Sequence, residues 1–232
     1  MSRKTWIWLN IVVAFCLFYA WSFASYSYRF RLTVEVDTAA GMKTGSSVLE
    51  VMTAMNPPWF FLAANDSVTT ARGEAIFVDL GNGGNLVSLL ALGPQASDGG
   101  VITLAVRTFF NYQGGSYDPR WSKILVKMPT EYSGRRAYTS KKPTLATFTD
   151  LNDPSSIREV SYNEPQSVLG SNVHQVRFWI ELTRDPVTST LSLRLPWISD
   201  PKLRATAWRL LRKNHLGSGS APDTIFQRSG EY

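Results

Sequence analysis

The densest group of oxygen-bearing side chains lies in the stretch TDLNDPSS, residues 149–156. These side chains belong to Asp150, Asn152, Asp153 and Ser155. Such groups can ligate Ca²⁺, but a calcium loop beginning at Asp150 would need Asp or Asn at its fifth position and Gly at its sixth. Pro154 and Ser155 stand there instead. We therefore interpret the stretch as a turn followed by a helix start, with Asp153 as the capping residue.

Two aspartates of this stretch are the best candidates for acid–base catalysis. Asp150 and Asp153, with Glu159 nearby in the sequence, supply the carboxylates that a hydrolase needs to give and accept a proton. A hydrolase with Asp150 and Asp153 as catalytic residues is therefore one hypothesis. A pocket that joins two carboxylates of raised pKa would favour it. Acids that cap helices beside a flat sheet would favour a non-enzymatic module.

The other residue types that usually carry catalysis or bind cofactors form no known motif. His174 and His215 lie far apart, and neither has the spacing of a zinc site. The single cysteine, Cys16, lies in the apolar N-terminal segment, so the body offers no disulfide and no thiol nucleophile. The glycine-rich DLGNGGN, residues 79–85, lacks the Gly-Lys-Ser/Thr ending of a phosphate loop and is interpreted as a tight turn. We expect no metal and no cofactor.

An apolar segment precedes the body. Residues 6–24 contain no charged side chain, and as a helix they would be about 29 Å long, close to the thickness of a bilayer core. Aromatic residues at both ends suit the membrane interfaces. They are Trp6, Trp8, Tyr19 and Trp21. A cleaved signal peptide is the alternative, because Ser22 and Ala24 could precede a cleavage site. The length of the apolar run favours an uncleaved anchor.

The predicted orientation places the body outside the cytoplasm. Arg3 and Lys4 precede the apolar segment, and Arg29 and Arg31 follow it, so the count of positive charges is nearly balanced. A four-residue tail followed by a long body is the layout of a signal anchor. We expect a cytoplasmic tail at 1–4, a transmembrane helix at 5–25, and a body in the periplasm. A cleaved segment would give a soluble periplasmic protein instead.

The body, residues 29–198, is predicted to be β-rich. The stretch RFRLTVEVDT, residues 29–38, alternates apolar and polar side chains, and so does HQVRFWIELT, residues 174–183. The glycines of AAGMKTG predict a turn after the first strand, and SSVLEVMTAM predicts the second strand of a hairpin. Short strands are also predicted for WSKILVKM and TLATFTDL. The fold class is therefore mainly β, or α+β, with antiparallel strands.

Helices are predicted in a few places only. In residues 99–112 the apolar side chains are too many and too evenly spread for periodicity to decide between a helix and a strand. A short helix is expected through SSIREV, residues 155–160. Residues 199–216 read as a basic amphipathic helix capped by Asp200, and residues 217–232 as a flexible tail. The basic side chains of this helix are Lys202, Arg204, Arg209, Arg212 and Lys213.

Charge narrows the choice of partners. The net charge is +6, and most of the body mixes both signs, which is not the dense basic stripe of a nucleic-acid-binding protein.

The basic helix has three interpretations: packing on the sheet, contact with anionic lipid, or docking of a partner. The loop GRRAYTSKK could meet lipid only if the topology were inverted. The run PPWFFL, residues 57–62, is either core or a loop that dips into a bilayer.

Several stretches together resemble a group of uncharacterised proteobacterial proteins that begin with one apolar segment. These stretches are RLTVEVDTAAGMKTGSSVLEV, RGEAIFVDLG, TFTDLNDPSSIREV and IELTRDPVTSTLSLRLPW. The resemblance covers most of residues 29–198 and implies a bacterial source and an inner-membrane or periplasmic setting. It carries no activity, ligand or site residue. The leading hypothesis is a membrane-anchored interaction or scaffolding module, with the bilayer and another envelope protein as partners.

Overall fold

Two antiparallel β-sheets make up most of the body. The computed structural model describes residues 3–22, 25–56, 67–93, 100–112, 114, 120–131, 134–139, 141–211 and 225–229. The strands in these ranges are β1 (Ser25–Thr38), β2 (Gly41–Met55), β3 (Ser67–Glu74), β4 (Ile76–Gly81), β5 (Gly84–Leu92), β6 (Arg135–Ala137), β7 (Pro143–Phe148), β8 (Ile157–Val160), β9 (Val173–Thr183) and β10 (Gln227–Ser229). Sheet A has the order β10-β3-β2-β1-β9-β6, and sheet B has the order β4-β5-β7-β8. The prediction of a mainly β, antiparallel body is confirmed.

The two strands with the clearest alternation lie side by side at the centre of sheet A. β1 pairs with β2 on one side and with β9 on the other. The four apolar residues that alternate along β1 have no exposed surface. They are Phe30, Leu32, Val34 and Val36. One face of β1 therefore forms the core, as predicted, and the opposite face carries charge.

The hairpin between β1 and β2 turns earlier than expected. Its two turn residues are Ala39 and Ala40, and Gly41, with φ of 103°, opens β2. Gly45, predicted to belong to the turn, lies within β2. A Cβ atom at Gly45 would lie 2.3 Å from the carbonyl oxygen of Phe77 on β4. Gly45 is therefore needed where sheets A and B approach closely, and not for a bend.

Sheet B is built around a strand that is buried along almost its whole length. From Asn85 to Leu92 every residue of β5 is buried. The DLGNGGN stretch joins β4 to β5 through Asn82 and Gly83, whose φ angles of 50° and 80° are left-handed. The prediction of a tight turn there is confirmed, since Asn and Gly tolerate this conformation best.

The helices correct two predictions. They are α1 (Arg3–Ser22), α2 (Leu104–Phe110), α3 (Trp121–Glu131), α4 (Gln166–Leu169) and α5 (Pro201–Leu211), with 3₁₀ turns at Gly100–Thr103, Pro154–Ser156, Leu191–Leu193 and Pro196–Ser199. The strand predicted for WSKILVKM is wrong, because this stretch opens α3. Its buried residues Trp121, Leu125 and Met128 recur at helical spacing. The helix predicted through SSIREV is also wrong beyond Ser156, since residues 157–160 form β8.

Part of the C-terminal segment is folded, which corrects the expectation of a flexible tail. Residues 227–229 form β10, which pairs with β3 at the edge of sheet A. Ile225 and Phe226 have no exposed surface. Their carbonyl oxygens accept hydrogen bonds from Leu90 and Ala75, at 2.7 and 2.8 Å. The backbone of this segment is therefore bonded both to sheet B and to the link between β3 and β4.

The N-terminal segment forms a helix of its own. α1 comprises 20 residues, and all residues from 5 to 18 are exposed. By length and mean hydropathy, none of the helices in the described part of the chain qualifies as a membrane-spanning helix. The aromatic run at 57–62 lies outside the described residues.

Candidate functional site

The candidate catalytic aspartates lie in an exposed loop between β7 and β8. Asp150 accepts a hydrogen bond from the backbone N–H of Asn152 at 2.8 Å. Asp153 accepts one from the backbone N–H of Ser155 at 2.8 Å and another from its hydroxyl at 2.7 Å. Asp153 thereby caps the 3₁₀ turn Pro154–Ser156, as the Asp-Pro pair predicted. Both carboxylates therefore accept hydrogen bonds from backbone N–H groups of their own loop.

The electrostatics of Asp153 differ from those of a general acid. The hydrogen bonds from the side chain and backbone of Ser155 lower the pKa of this exposed carboxyl below its ordinary value. A general acid at neutral pH needs a raised pKa. Glu159 belongs to β8, where its register partner is Ala146, and it lines a cavity that includes neither aspartate. Asp150, Asp153 and Glu159 therefore do not share a pocket.

The structure places one of the two histidines. His174 is exposed near the start of β9, and His215 lies outside the described residues. Within the described ranges, no group of three or more His, Cys, Asp or Glu side chains is arranged to hold a metal ion.

The outer face of sheet A carries a network of ion pairs, in groups centred on Glu50, Arg31 and Glu35, that sequence reasoning missed. Its pairs are Arg29–Glu50 at 2.9 Å, Arg72–Glu50 at 4.0 Å, Arg31–Glu181 at 2.9 Å, Arg31–Asp185, Arg135–Glu35 at 2.5 Å and Arg177–Glu35 at 3.7 Å. Several are direct register partners across neighbouring strands, such as Arg31 with Glu181 and Glu35 with Arg177. Opposite charges facing each other in this way stabilise the pairing of the strands.

Glu35 is the most buried member of this network, with 8% of its side chain exposed. Its carboxylate accepts hydrogen bonds from Arg135 at 2.5 Å and from the indole N–H of Trp179 at 2.7 Å. Burial acts to raise the pKa of Glu35. The two hydrogen bonds and the charges of Arg135 and Arg177 outweigh burial and hold the pKa below its ordinary value. Glu35 is thus a permanently ionised structural carboxylate at neutral pH.

A crossover segment, residues 184–190, runs over sheet A after β9. Asp185 pairs with Arg31 of β1, and Thr188 exchanges two hydrogen bonds with Val48 of β2. The backbone N–H of Thr190 donates to Glu74 at the end of β3, at 2.6 Å. Glu74 also accepts from the backbone N–H of Leu191 and so caps the 3₁₀ turn that follows. The chain itself therefore occupies part of the outer face of sheet A.

The basic stretch GRRAYTSKK, residues 134–142, was expected to be a loop but contains strand β6 at Arg135–Ala137, and its described charged side chains lie in different surroundings. The Arg135 guanidinium lies 4.5 Å from the ring centre of Trp179, and that of Arg136 lies 5.0 Å from the ring centre of Phe109. Both arginines therefore contact aromatic side chains of the body. Lys141 and Lys142 line a cavity at the end of sheet B instead.

The basic helix packs on the body through its apolar side. Ala207 and Leu211 of α5 are buried, and the backbone N–H of Lys202 donates to Asp200, which caps the helix as predicted. Arg204 donates to the carbonyl oxygen of Ile198, and Arg209 to that of Ala205. The predicted contact residues Arg212 and Lys213 lie outside the described residues. The packing interpretation holds for the described part of α5, with Lys202 and Arg209 on its exposed side.

The predicted anchor residues lie on α1. Trp6 and Trp8 are 57% and 68% exposed, and large apolar side chains are exposed on every side of the helix. The other exposed ones are Ile7, Leu9, Ile11, Val12, Val13, Phe15, Leu17 and Phe18. Tyr19 and Trp21 also belong to α1, but their side chains lie outside the described part. Asn10 donates its amide N–H to the carbonyl oxygen of Trp6 at 2.8 Å, which satisfies one polar group within the helix itself.

The chain matches no protein-family model, and neither a curated protein nor a solved structure is detectably similar to it.

Proposed function

We propose that this protein is a membrane-attached interaction or scaffolding module, in which α1 is the attachment and the β-rich body works outside the cytoplasm. The observation that carries the proposal is the exposure of α1. Ten large apolar side chains between residues 6 and 18 are each 47–68% exposed. A continuous apolar surface of this kind is rare in water and marks a membrane or protein contact.

The composition of α1 favours lipid over a protein groove. A helix that docks in a groove has one apolar side and one polar side. Apolar residues surround α1 on all sides, and after Lys4 it contains no charged residue. Its 20 residues correspond to about 30 Å of helix. Attachment requires only that this surface enters the apolar region of a bilayer.

The non-enzymatic part of the proposal rests on how the acids are used. Asp150 and Asp153 accept backbone hydrogen bonds, and Asp153 and Glu35 have lowered pKa values. Glu74 caps a 3₁₀ turn. Each of these carboxylates therefore has a structural partner that accounts for its presence. The resemblance to proteobacterial proteins and the signal-anchor layout favour an inner-membrane position with a periplasmic body.

Flotation with lipid vesicles tests the attachment. We expect the full-length protein to float with phosphatidylglycerol–phosphatidylethanolamine vesicles and to resist extraction by alkaline carbonate. The double variant I11K/F15K puts two charges in the middle of α1, at side chains that are 52% and 67% exposed. It should remain in the soluble fraction, because a charge at the centre of a bilayer is costly.

Leu193 provides the matched control. It is 80% exposed and lies on the body, so L193K also replaces an exposed apolar side chain by a charge. This variant should float like the native protein, and neither variant should change the thermal unfolding of the body. Flotation of I11K/F15K at the native level would refute attachment through α1.

A single-cysteine experiment tests the side on which the body lies. Cys16 is the only cysteine, so a C16S background allows one new cysteine at the exposed residue Glu164. In intact cells with a permeabilised outer membrane, an impermeant maleimide should label E164C. Labelling only after lysis would place the body in the cytoplasm and overturn that part of the proposal.

A further inference from the structure

A cavity of 630 Å³ opens at one end of sheet B. It lies where β5 ends at Leu92 and is followed by Gly93, β7 begins at Pro143, and β8 ends at Val160. Register pairs Leu92 with Pro143 and Leu145 with Val160, so three neighbouring strands meet at this end. The volume falls in the range of about 300–1,000 Å³ that is typical of small-molecule sites.

The floor of the cavity is apolar, and one wall is a fixed aromatic ring. Leu145 and Val160 lie beneath the cavity, with 0% and 2% of their surface exposed. The hydroxyl of Tyr162 donates a hydrogen bond to the carbonyl oxygen of Pro143, and its ring lies 5.7 Å from that of Phe178. Burial, together with the nearby Tyr138 and Glu159, raises the pKa of Tyr162 well above its ordinary value. The hydroxyl therefore keeps its proton, and its hydrogen bond to Pro143 orients the ring.

Two consecutive lysines form the charged side of the cavity on a backbone that is held in place. The carbonyl oxygen of Lys141 accepts a hydrogen bond from the hydroxyl of Tyr138 at 2.8 Å. That of Lys142 accepts one from the backbone N–H of Gly93 at 2.9 Å. The ammonium group of Lys142 lies 4.9 Å from the ring centre of Tyr162, within cation–π distance. The position of this charge is thus defined by the fold.

The balance of charge around the cavity is positive. Among the described residues that line it, the charged ones are Lys141, Lys142 and Glu159, which together carry one positive charge in excess. Ser161 and Asn163 add polar groups to the lining. An apolar floor, an ordered cation and a few polar groups suit a ligand with an apolar body and a negatively charged head.

We propose that this cavity binds a small organic anion. Its apolar group would lie beside the ring of Tyr162, above the buried Leu145 and Val160, and its carboxylate or phosphate at Lys141 and Lys142. This site is separate from α1, so the inference stands whether or not α1 enters a bilayer. It assigns to the body a ligand of defined chemistry.

Calorimetric titration of the full-length protein with 3-phenylpropionate tests the inference. The protein is kept in buffer or in lipid nanodiscs, whichever leaves it monodisperse, and the corresponding blank is subtracted. We expect saturable binding of 3-phenylpropionate, and binding at least about tenfold weaker for 3-phenylpropylamine, which has the same apolar group and the opposite charge. Inorganic phosphate, which lacks the apolar group, should also bind more weakly.

Two variants locate the binding. K142Q should weaken the binding of 3-phenylpropionate by about tenfold, since it removes the charge and leaves a polar side chain that is only one atom shorter. S161W places a large ring at an exposed position of the lining and should block the cavity. K202Q, an exposed lysine on α5, is the control and should bind like the native protein. Circular dichroism verifies that each variant is folded.

The outcomes separate clearly. Native affinity in folded K142Q and S161W would place binding elsewhere and overturn the proposal, as would equal affinity for the amine. The absence of saturable binding of 3-phenylpropionate to the native protein would overturn it directly. Failure of the vesicle experiment would leave this result unaffected, because neither substitution lies in α1.

Discussion

Glu35 joins three strands through one carboxylate. It lies on β1 and accepts hydrogen bonds from Arg135 on β6 and Trp179 on β9. E35Q keeps the shape and removes the charge that these donors face. We expect the free energy of unfolding at pH 7 to fall by about 1–2 kcal/mol. The buried carboxylate pairs with Arg135 and Arg177, but both arginines are 42% exposed, and solvent screening limits the loss. Urea unfolding measures this loss. The exposed carboxylate of Glu164 is the control, and E164Q should change the free energy by less than about 0.5 kcal/mol.

The stabilisation by Glu35 has a defined pH dependence. Its pKa in the folded protein lies below the ordinary value of 4.5. The folded state therefore favours the ionised form, and the contribution is fully present above the pKa of the unfolded chain. It is lost as the pH falls through the lower pKa of the folded state. The difference between the native protein and E35Q should thus be constant above about pH 5 and shrink below it. A difference that grows on acidification would contradict this assignment.

Sequence alone could place Glu35 on the outer face of β1 but could not identify its partners. Alternation along RFRLTVEVDT separates the buried Phe30 from the outward-facing Glu35. Arg135 and Trp179 are 100 and 144 residues away in the chain, and the pairing of β9 with both β1 and β6 brings them close. Asp153 could be interpreted correctly, because a cap depends on residues only two positions away.

Among the strands and helices, too, some could be predicted from the sequence pattern and others were missed. β1 and β9 were predicted because each has one buried face and one polar face. α3 was missed because its apolar content suggested a short strand, although Trp121, Leu125 and Met128 have the spacing of one helical side. β10 was missed because SGSAPDTIFQRSGEY has the composition of a loose tail, and β3, with which it pairs, lies more than 150 residues earlier.

Phe226 is the residue through which this last segment joins the core. It has no exposed surface, and its ring lies 5.3 Å from that of Trp197 and 6.4 Å from that of Phe148. F226A should lower the free energy of unfolding by about 3–5 kcal/mol, because it leaves a cavity between these rings. Chemical denaturation monitored by tryptophan fluorescence measures the change.

Gln227 and the end of the chain provide the controls for this segment. Gln227 is exposed on β10, so Q227A should change stability by less than about 0.5 kcal/mol. Truncation after Ser229 should likewise leave the unfolding midpoint almost unchanged, whereas truncation after residue 224 removes both buried side chains and β10. Equal stability of the two truncated proteins would show that residues 225–229 contribute nothing to the fold.

The described residues combine a body with ion pairs across sheet A and a helix that exposes its apolar surface. Ion pairs and the crossover segment use much of the charge on the outer face of sheet A. The buried core of the described residues begins at Tyr28 and takes no residue from the exposed stretch 5–18 of α1. The proposed attachment and the stability of the body therefore depend on different residues.

Deletion of residues 1–24 tests this separation at the scale of the whole protein. The truncated chain begins at Ser25, the first residue of β1, and keeps Tyr28 and Phe30 in the core. We expect it to unfold within about 2 °C of the full-length protein, since for a domain of this size that corresponds to less than about 1 kcal/mol. A deletion through residue 30 removes both aromatic residues and should lower the midpoint strongly, which verifies the sensitivity of the measurement. A large loss of stability on removing residues 1–24 alone would mean that α1 packs on the body, and its apolar surface would then need no bilayer to explain it.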